Sequence, residues 1–532
     1  MNKKIIYSLP LLCLLCCQTI HAATNALFQV DTNDSVLTIH TVTPNHSYAN
    51  AGIKIDTSGY SLANIGVECQ LSGNGYCLFP VSDTTPATIT LAGPVGNVSF
   101  TLCLNGKGPV SCQHYSTNIT ATQNFVLNGV SCDSNGQKCT IVGEIEEGLN
   151  TSLVLSYFTT NGGVSWTLNP TPSVPQNSIS TSLFSISCMN NGLNCKAVGY
   201  YSDNAQNLYP LSYSTLDAGV TWTLHNTPPL PNDAAQVQYS AFNHISCGND
   251  TVNDAQNCVA VGTYTGPITF NSFVDHTTNG GATWTNTVLT QPGDISNLDP
   301  FSDLLGVSCS SSGLICTAVG FYTNYNTHAA LYSYSTTNGG QTWSAPNTAF
   351  TLPADAADTQ NTLQIYPLVL SGITCTSDGQ NCIAVGNYYN NLNQIKPLSY
   401  ETSNAGTTWT LNPTPAVPND FLSFAALNDV SCDNAGTTCT AVGEYVNQQG
   451  LYIPLSYRTT LWTLNPTPTL PSTPVQPQQI EITGLSSISC GSTGLSCITV
   501  GDYLKAEADD SALAYYTLNG GVSWTLSVPL AP

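Results

Sequence analysis

The chain is nearly empty of arginine. Among its 532 residues only Arg458 occurs, and lysine plus arginine number 9 against 31 acidic residues. The net charge of −22 leaves no basic stripe to neutralise phosphates, which excludes a nucleic-acid partner. It also opposes docking on an anionic membrane. Any chemistry that needs an arginine cluster is excluded at the same time. Charge of either sign is scarce at 8%, yet 41% of residues are hydrophobic. Such a chain can bury a large core and is not a disordered acidic protein. No apolar run after the first residues reaches the length of a membrane span, so membrane insertion is not expected. Helical periodicity of useful length is missing as well. So are a Gly-x-Ser-x-Gly elbow, a His-Glu-x-x-His pair and a phosphate loop ending in lysine. His40, His46, His114, His225, His244, His276 and His328 are scattered.

Residues 1–23 read as a secretory signal. Lys3 and Lys4 precede an apolar run from Ile5 to Cys17, and His21-Ala22-Ala23 offers small residues for cleavage. The short leader is of bacterial type, so the expected location is secreted or periplasmic. Of the 21 cysteines, Cys13, Cys16 and Cys17 lie in this leader. The remaining eighteen are an even number, as a disulfide framework in an oxidising compartment requires.

Fourteen of those eighteen recur in pairs: Cys132 with Cys139, Cys188 with Cys195, Cys247 with Cys258, Cys309 with Cys316, Cys375 with Cys382, Cys432 with Cys439 and Cys490 with Cys497. Each pair is followed by one of the seven tryptophans: Trp166, Trp222, Trp284, Trp343, Trp409, Trp462 and Trp524. From first cysteine to tryptophan the gap is 34 in five repeats, 37 in the third and 30 in the sixth. Chance does not place every tryptophan in register with every late cysteine pair. Within the second repeat, short β-rich runs start at Phe184, Cys195, Leu211 and Val220, broken by Gly, Asn and Pro. Four strands per repeat, seven times, predict an all-β, seven-bladed β-propeller over residues 119–532, with one disulfide per blade. Each disulfide would staple the turn between first and second strands. The spacing is wrong for a zinc ribbon, and no histidines accompany the pairs.

Ahead of the tryptophan, six repeats share Thr/Ser-x-Asp/Asn-x-Gly-x-Ser/Thr-Trp. The first reads Thr159-Thr160-Asn161-Gly162-Gly163-Val164-Ser165-Trp166, and the others centre on Asp217, Asn279, Asn338, Asn404 and Asn519. The sixth repeat is shortened to Arg458-Thr459-Thr460-Leu461-Trp462. The motif resembles the Asp-box, or bacterial neuraminidase repeat, of secreted bacterial seven-bladed propellers. That resemblance spans roughly residues 120–530 and implies a turn between third and fourth strands, with Trp in the blade core. It implies a fold rather than an activity. Sialidases of that fold hold the substrate carboxylate with three arginines, so the lone Arg458 argues against sialidase activity.

Residues 24–118 do not follow the repeat. Runs such as Ser35–Ile39 and Asn97–Leu102 predict a small immunoglobulin-like β-sandwich. Cys69 with Cys77 and Cys103 with Cys112 read as two hairpin staples, with the other two connectivities open. Proline-rich connectors such as Asn169-Pro170-Thr171-Pro172 and Asn412-Pro413-Thr414-Pro415 follow several outer strands and carry the chain back toward the axis.

In such a meander the disulfides and the tryptophan turns share one face, and the second-to-third loops share the other. The latter face is the expected site of function. Its loops are rich in Tyr and Asn, and Tyr201, Asn204, Tyr322, Tyr325, Tyr388, Tyr389 and Tyr445 are the candidate ligand-binding residues. Tyr offers a rigid plate with one hydroxyl and Asn both donor and acceptor, a combination suited to glycans or a polar protein surface. After the second-strand glycine stand Glu144, Tyr200, Thr263, Phe321, Asn387, Glu444 and Asp502. Glu144, Glu444 and Asp502 fall on neighbouring blades once a ring closes. They are candidates either for a Ca²⁺ site or for the acid and base of a glycoside hydrolase. The Asn249–Asp254 insertion resembles a Ca²⁺ loop only faintly and falls on the disulfide face. The expected function is non-catalytic recognition of a glycan or a cell-surface or host protein through the loop face, with no cofactor. A non-sialidase glycoside hydrolase and a structural envelope component are the competing expectations.

Overall fold

The computed structural model describes the strands of residues 1–123. From 124 to 527 it describes all but 147–150, 235–238, 249–255, 267–269, 297–300, 327, 358–367, 459–461, 467, 469–479 and 506–509. The chain divides into two compact units, Met1–Gln123 and Asn124–Pro532. Strands of the first pair into two five-stranded sheets. Cys103 is disulfide-bonded and stands opposite Cys112 in register. Cys77 opens a strand, Cys77–Ser82, and stands opposite Ile53 on one side and Leu71 on the other. Cys69 lies outside the described residues, and with it the expected staple of Cys69 to Cys77. The leader and the Asn249–Asp254 insertion fall largely or wholly outside them too.

The second unit is an all-β propeller of seven blade-like units with seven disulfides, one in each. They join Cys132 to Cys139, Cys188 to Cys195, Cys247 to Cys258 and Cys309 to Cys316. The remaining three join Cys375 to Cys382, Cys432 to Cys439 and Cys490 to Cys497. In every blade the two cysteines face each other in register, ending the first strand and opening the second. The two ends of each turn staple differ in depth. The first cysteine of each pair is half-buried, as a turn staple should be. The second is core: Cys139, Cys195, Cys258, Cys316, Cys382, Cys439 and Cys497 are 0–2% exposed and pack in the blade clusters. Strand alternation puts the second-strand cysteine on the same side as the apolar residue two places on, so its sulfur fills core volume besides closing the loop.

In the second unit of the ring the strands are Ser178–Cys188, Cys195–Asp203, Leu208–Thr215 and Thr223–Leu224. They pair antiparallel in chain order. The outer strand is shorter than the Val220–Leu224 run suggested, because the tryptophan turn occupies its first residues. The fourth blade has no outer strand of this kind. There Pro346, which has no N–H to donate, leaves a single bridge between Ser333 and Asn347. Units five and six share one hydrogen-bonded sheet through the bridge Ile395–Phe424.

Each sheet draws its strands consecutively, so the ring closes by packing rather than by strand exchange. Leu127 and Ile141 of the first blade share one core with Ile498, Val500 and Ala514 of the last. A girdle of hydrogen bonds runs through the repeated Ser-Cys dipeptide. The amides of Cys188, Cys247, Cys309, Cys375 and Cys490 donate to the hydroxyls of Ser131, Ser187, Ser246, Ser308 and Ser431, at 2.9–3.1 Å. Closure follows the same rule, with the Cys132 amide donating to Ser489 Oγ at 3.0 Å.

A β-bulge interrupts every first strand, between Leu183 and Ser185 in the second blade. It brings the carbonyl before it against the second-strand glycine. A Cβ on Gly143, Gly199, Gly262, Gly320, Gly386, Gly443 or Gly501 would collide with that carbonyl oxygen. The repeated glycine therefore reflects close backbone approach.

The tryptophan turns follow one design. Thr159 Oγ1 donates to Asn161 Oδ1 at 2.8 Å, and the Ser165 amide donates to the same oxygen at 3.0 Å. Asn161 Nδ2 then donates to Ser165 Oγ at 2.8 Å. With Asp217 the last bond reverses, and Thr221 Oγ1 donates to the carboxylate at 2.7 Å. A hydroxyl can take either role, so Asn and Asp serve equally.

Each tryptophan also meets a seam between blades. The indole N–H groups of Trp222, Trp284, Trp409 and Trp524 donate to Ser156, Ser212, Ser333 and Ser456 of the preceding blade, at 2.9–3.1 Å. Trp166 and Trp343 have no acceptor. Their seams present Ala514 and Val274 where serine stands elsewhere. Ala514→Ser should therefore raise unfolding stability by about 1 kcal/mol, as one new buried hydrogen bond would. Denaturant unfolding of the variant beside the parent chain checks it; an unchanged or lower midpoint would show that the closing seam has another geometry.

Candidate functional site

The two-faced arrangement expected from the repeats is present. Backbone bonds tie the tryptophan turn to the first-to-second turn of its own blade, as from the Gly162 amide to Gln137 O and the Ala218 amide to Leu193 O. At the other end the second-to-third turns meet the connectors. The Tyr325 amide donates to Asp294 O and the Asn391 amide to Asp355 O.

Strand alternation then sorts the tyrosines. Those two residues after the second-strand glycine point into the blade. Tyr322, Tyr388 and Tyr445 are 1%, 1% and 4% exposed. Their hydroxyls donate to Asp294, Asp355 and Asp420 of the connectors, and Tyr264 donates to Asp233 in the same way. Each aspartate follows a proline by two residues, so a Pro-x-Asp turn in the connector is matched to a tyrosine in the strand. Tyr322, Tyr388 and Tyr445 thus correct the expectation of surface plates: burial and the connector carboxylates use both ring and hydroxyl. Tyr201 is half-buried, stacks on Tyr209 at 5.2 Å and shares a hydrogen bond with Thr227. Asn204 is exposed, Tyr389 half-buried, and Tyr325 is 55% exposed with its hydroxyl on Gly293 O.

The carboxylates stand at equivalent register positions. Glu144 lies opposite Val126, Glu444 opposite Ala426 and Asp502 opposite Gly484. Glu444 accepts from Asn428 Nδ2 at 2.6 Å, and the same amide donates to Leu485 O of the next blade. Burial pushes the Glu444 carboxyl up to about 7; the Asn428 bond opposes this and the Asp502 charge adds to it. Glu144 is raised as well, chiefly by burial and slightly by Glu146, against hydrogen bonds from Ser152 and Ser182. Among the described residues no three His, Cys, Asp or Glu side chains converge as metal ligands. Glu144, Glu444 and Asp502 therefore do not form the expected Ca²⁺ cluster. Glu444 is held by Asn428 and lies within the field of Asp502, while Glu144 takes its hydrogen bonds from Ser152 and Ser182.

Two features of this face were not read from the sequence. One is a cavity of ≈ 580 Å³ between the first and second blades. Glu144, Glu146, Ser152, Ser180, Tyr200 and Gln206 are among its lining residues. The other is a run of aromatic rings across the third and fourth blades. Tyr239 contacts Phe270 at 5.5 Å, Phe270 contacts Phe301 at 6.0 Å, and Phe301 stacks on Phe321 at 5.4 Å. Tyr239 is 44% exposed, and Phe270 and Phe301 are half-buried. The signal was available: an aromatic residue directly precedes the serine that opens the first strand in both blades, as Tyr239-Ser240 and Phe301-Ser302. Close to these rings, Asp303 accepts from Asn243 Nδ2 at 2.8 Å and from Thr263 Oγ1. Burial pushes its carboxyl up to about 7 against those two bonds.

Arg458 lies on the other face. Its guanidinium donates to Asn519 O in the tryptophan turn of the last blade, at 3.4 Å.

No protein-family model matches the chain, and no curated protein does. Solved structures similar to it include the sialidase of Trypanosoma rangeli, at TM-score 0.38 and 8% identity, covering 88% of this chain and 60% of that one. A polysaccharide lyase of the ulvan lyase type has TM-score 0.36 and 10% identity, covering 63% and 81%. A variant of the Aleuria aurantia lectin in complex with α-methyl-L-fucoside has TM-score 0.33 and 9% identity, covering 78% and 97%. Likeness at this level carries no argument about activity. The seven disulfides belong to an oxidising compartment, and no described helix is long and apolar enough to cross a membrane.

Proposed function

We propose that the chain is an exported bacterial seven-bladed Asp-box propeller that binds a glycan through its loop face without cleaving it. The observation that carries this reading is the aromatic run Tyr239–Phe270–Phe301 beside a polar cavity on one face. Aromatic faces take up the C–H face of a sugar ring, and the hydroxyls and amides around Tyr200 supply directional hydrogen bonds. The glycan would be borne by a cell surface or a host glycoprotein. Tyr201, Asn204, Tyr325 and Tyr389 supply further accessible contacts on the same face. A Tyr239→Ala, Phe270→Ala double variant should lose at least about tenfold in affinity for a retained glycan, the equivalent of about 1.4 kcal/mol. Surface plasmon resonance on the glycan checks this, with unfolding temperature as the control. Unchanged affinity would remove the aromatic run from the site.

A hydrolase is the second reading, favoured by one observation. Glu444 carries a raised carboxyl beside the charge of Asp502, the pairing from which a general acid and a base can be built. Under that reading Glu444→Gln would abolish turnover by orders of magnitude. Under the binding reading no turnover exists to lose.

A further inference from the structure

The cavity between the first and second blades has a definite chemistry. Two carboxylates, Glu144 and Glu146, line it, and the charge of Glu146 adds slightly to the burial that disfavours charging Glu144. Tyr200 forms a wall, packed on Phe184 at 5.3 Å and within the field of both glutamates. Ser152, Ser180, Ser202 and Gln206 complete a ring of small donors and acceptors, with Ser152 and Ser180 already bonded at 2.6 Å. No lysine, arginine or histidine is among the lining residues. A negative, partly desolvated cavity with an aromatic wall draws a cation more strongly than a neutral group, and an organic ammonium gains from the ring as well. The hydroxyl-rich remainder suits the rest of a sugar ring.

From this we infer that the cavity is a subsite for an amino sugar whose free ammonium lies between Glu144 and Tyr200. The inference rests on the glycan-binding reading and names the substrate class of that face. An N-acetylated sugar would bring a neutral amide to the carboxylates and lose the charge contact. A sialylated or sulfated glycan would meet like charge and be rejected.

Calorimetric titration of the disulfide-intact chain with a β-1,4-linked glucosamine tetramer, beside its fully N-acetylated counterpart, tests the assignment. The free-amine tetramer should bind at least about tenfold more tightly, and its affinity should fall with added salt. Glu144→Gln should remove most of the preference. Tyr200→Phe should keep it, since the ring face is retained, and Tyr200→Leu should weaken it. Glu146→Gln, at the last residue of its strand and less demanding of the fold, gives a second reading of the charge contact. Equal or tighter binding of the N-acetylated tetramer would overturn the amine assignment and leave glycan binding standing. Binding of neither tetramer, on a face that also retains no other glycan, would overturn both. A free-amine preference that survives Glu144→Gln and Glu146→Gln would overturn the placement of the amine in this cavity.

Discussion

Replacing Gly199 by alanine should cost about 3 kcal/mol of stability, the upper range for forcing an atom into a packed interior. The new methyl would strike the Ser182 carbonyl oxygen, with Leu183 Cα and the Ser182 carbonyl carbon close behind. All three are backbone, so no side chain can swing aside. Relief requires the first strand to move, and that strand holds the bulge and two links of the Ser-Cys girdle. Because the cores are shared between neighbours, the damage should reach the first blade as well; Val142 and Val154 pack in the same cluster as Leu183 and Tyr213. Thermal unfolding of Gly199→Ala, or of Gly386→Ala in the fifth blade, checks it. A near-parental midpoint would mean that the bulge can relax.

The second large effect concerns pH. Asp275 is fully buried in the third blade, at the position that is tyrosine in every other blade. Its partner in the outer strand is Asn286, where Leu224 faces Tyr213 in the second blade. Polar therefore replaces apolar on both sides of one pair, and Asn286 Nδ2 donates to Asp275 Oδ1 at 2.8 Å. The other carboxyl oxygen has no partner. Burial pushes this carboxyl up to about 8 against the Asn286 bond. Glu444 and Asp303 are raised to about 7, and Asp429 to about 6, again through burial.

A carboxyl whose folded pKa exceeds its unfolded value binds more protons folded than unfolded between the two. Its contribution is complete below the unfolded pKa, near 3.8 for aspartate, and is lost as pH rises through the folded pKa. The fold should therefore be most stable near pH 4–5 and lose several kcal/mol by about pH 8. The turn carboxylates of Asp203 and Asp217 run the other way, since turn amides and hydroxyls outweigh the burial that raises them, but both sit on solvent-accessible turns. Calorimetric melting at pH 4.5, 6 and 8 should give a falling midpoint, and Asp275→Asn should flatten the fall while leaving pH 4.5 nearly unchanged. A midpoint that rises from pH 5 to 8 would contradict this.

The ring was legible in the sequence because its repeating features are covalent or large. Cysteine pairs and tryptophans mark every blade, and spacing alone gives seven units, their disulfides and the two faces. What escaped depends on parity and packing. The spacing of Cys132 and Cys139 shows that they meet, but only the strand's alternation shows that Cys139 is core and Cys132 is not. Tyr388 and Tyr389 are adjacent in sequence, yet the same alternation buries one and leaves the other half-open. Tyr322 and Tyr445 follow Tyr388 into the core because they stand the same two residues beyond their glycines. Glu144, Glu444 and Asp502 are equivalent in register, but register does not show that Asn428 holds Glu444 and that serines hold Glu144. The aromatic run escaped for the opposite reason. Tyr239, Phe270 and Phe301 stand at the ends of their strands rather than in the second-to-third loops the sequence pointed to, and only the ring brings them together.

The most direct test is a glycan-array screen of the disulfide-intact protein, with every retained spot examined by mass spectrometry for cleavage. Intact glycans, retained by the parent chain and lost from the Tyr239→Ala, Phe270→Ala variant, are the predicted result. Cleaved glycans whose cleavage vanishes in Glu444→Gln would contradict it and make the protein a hydrolase, and an array with no retained glycan would contradict glycan recognition altogether.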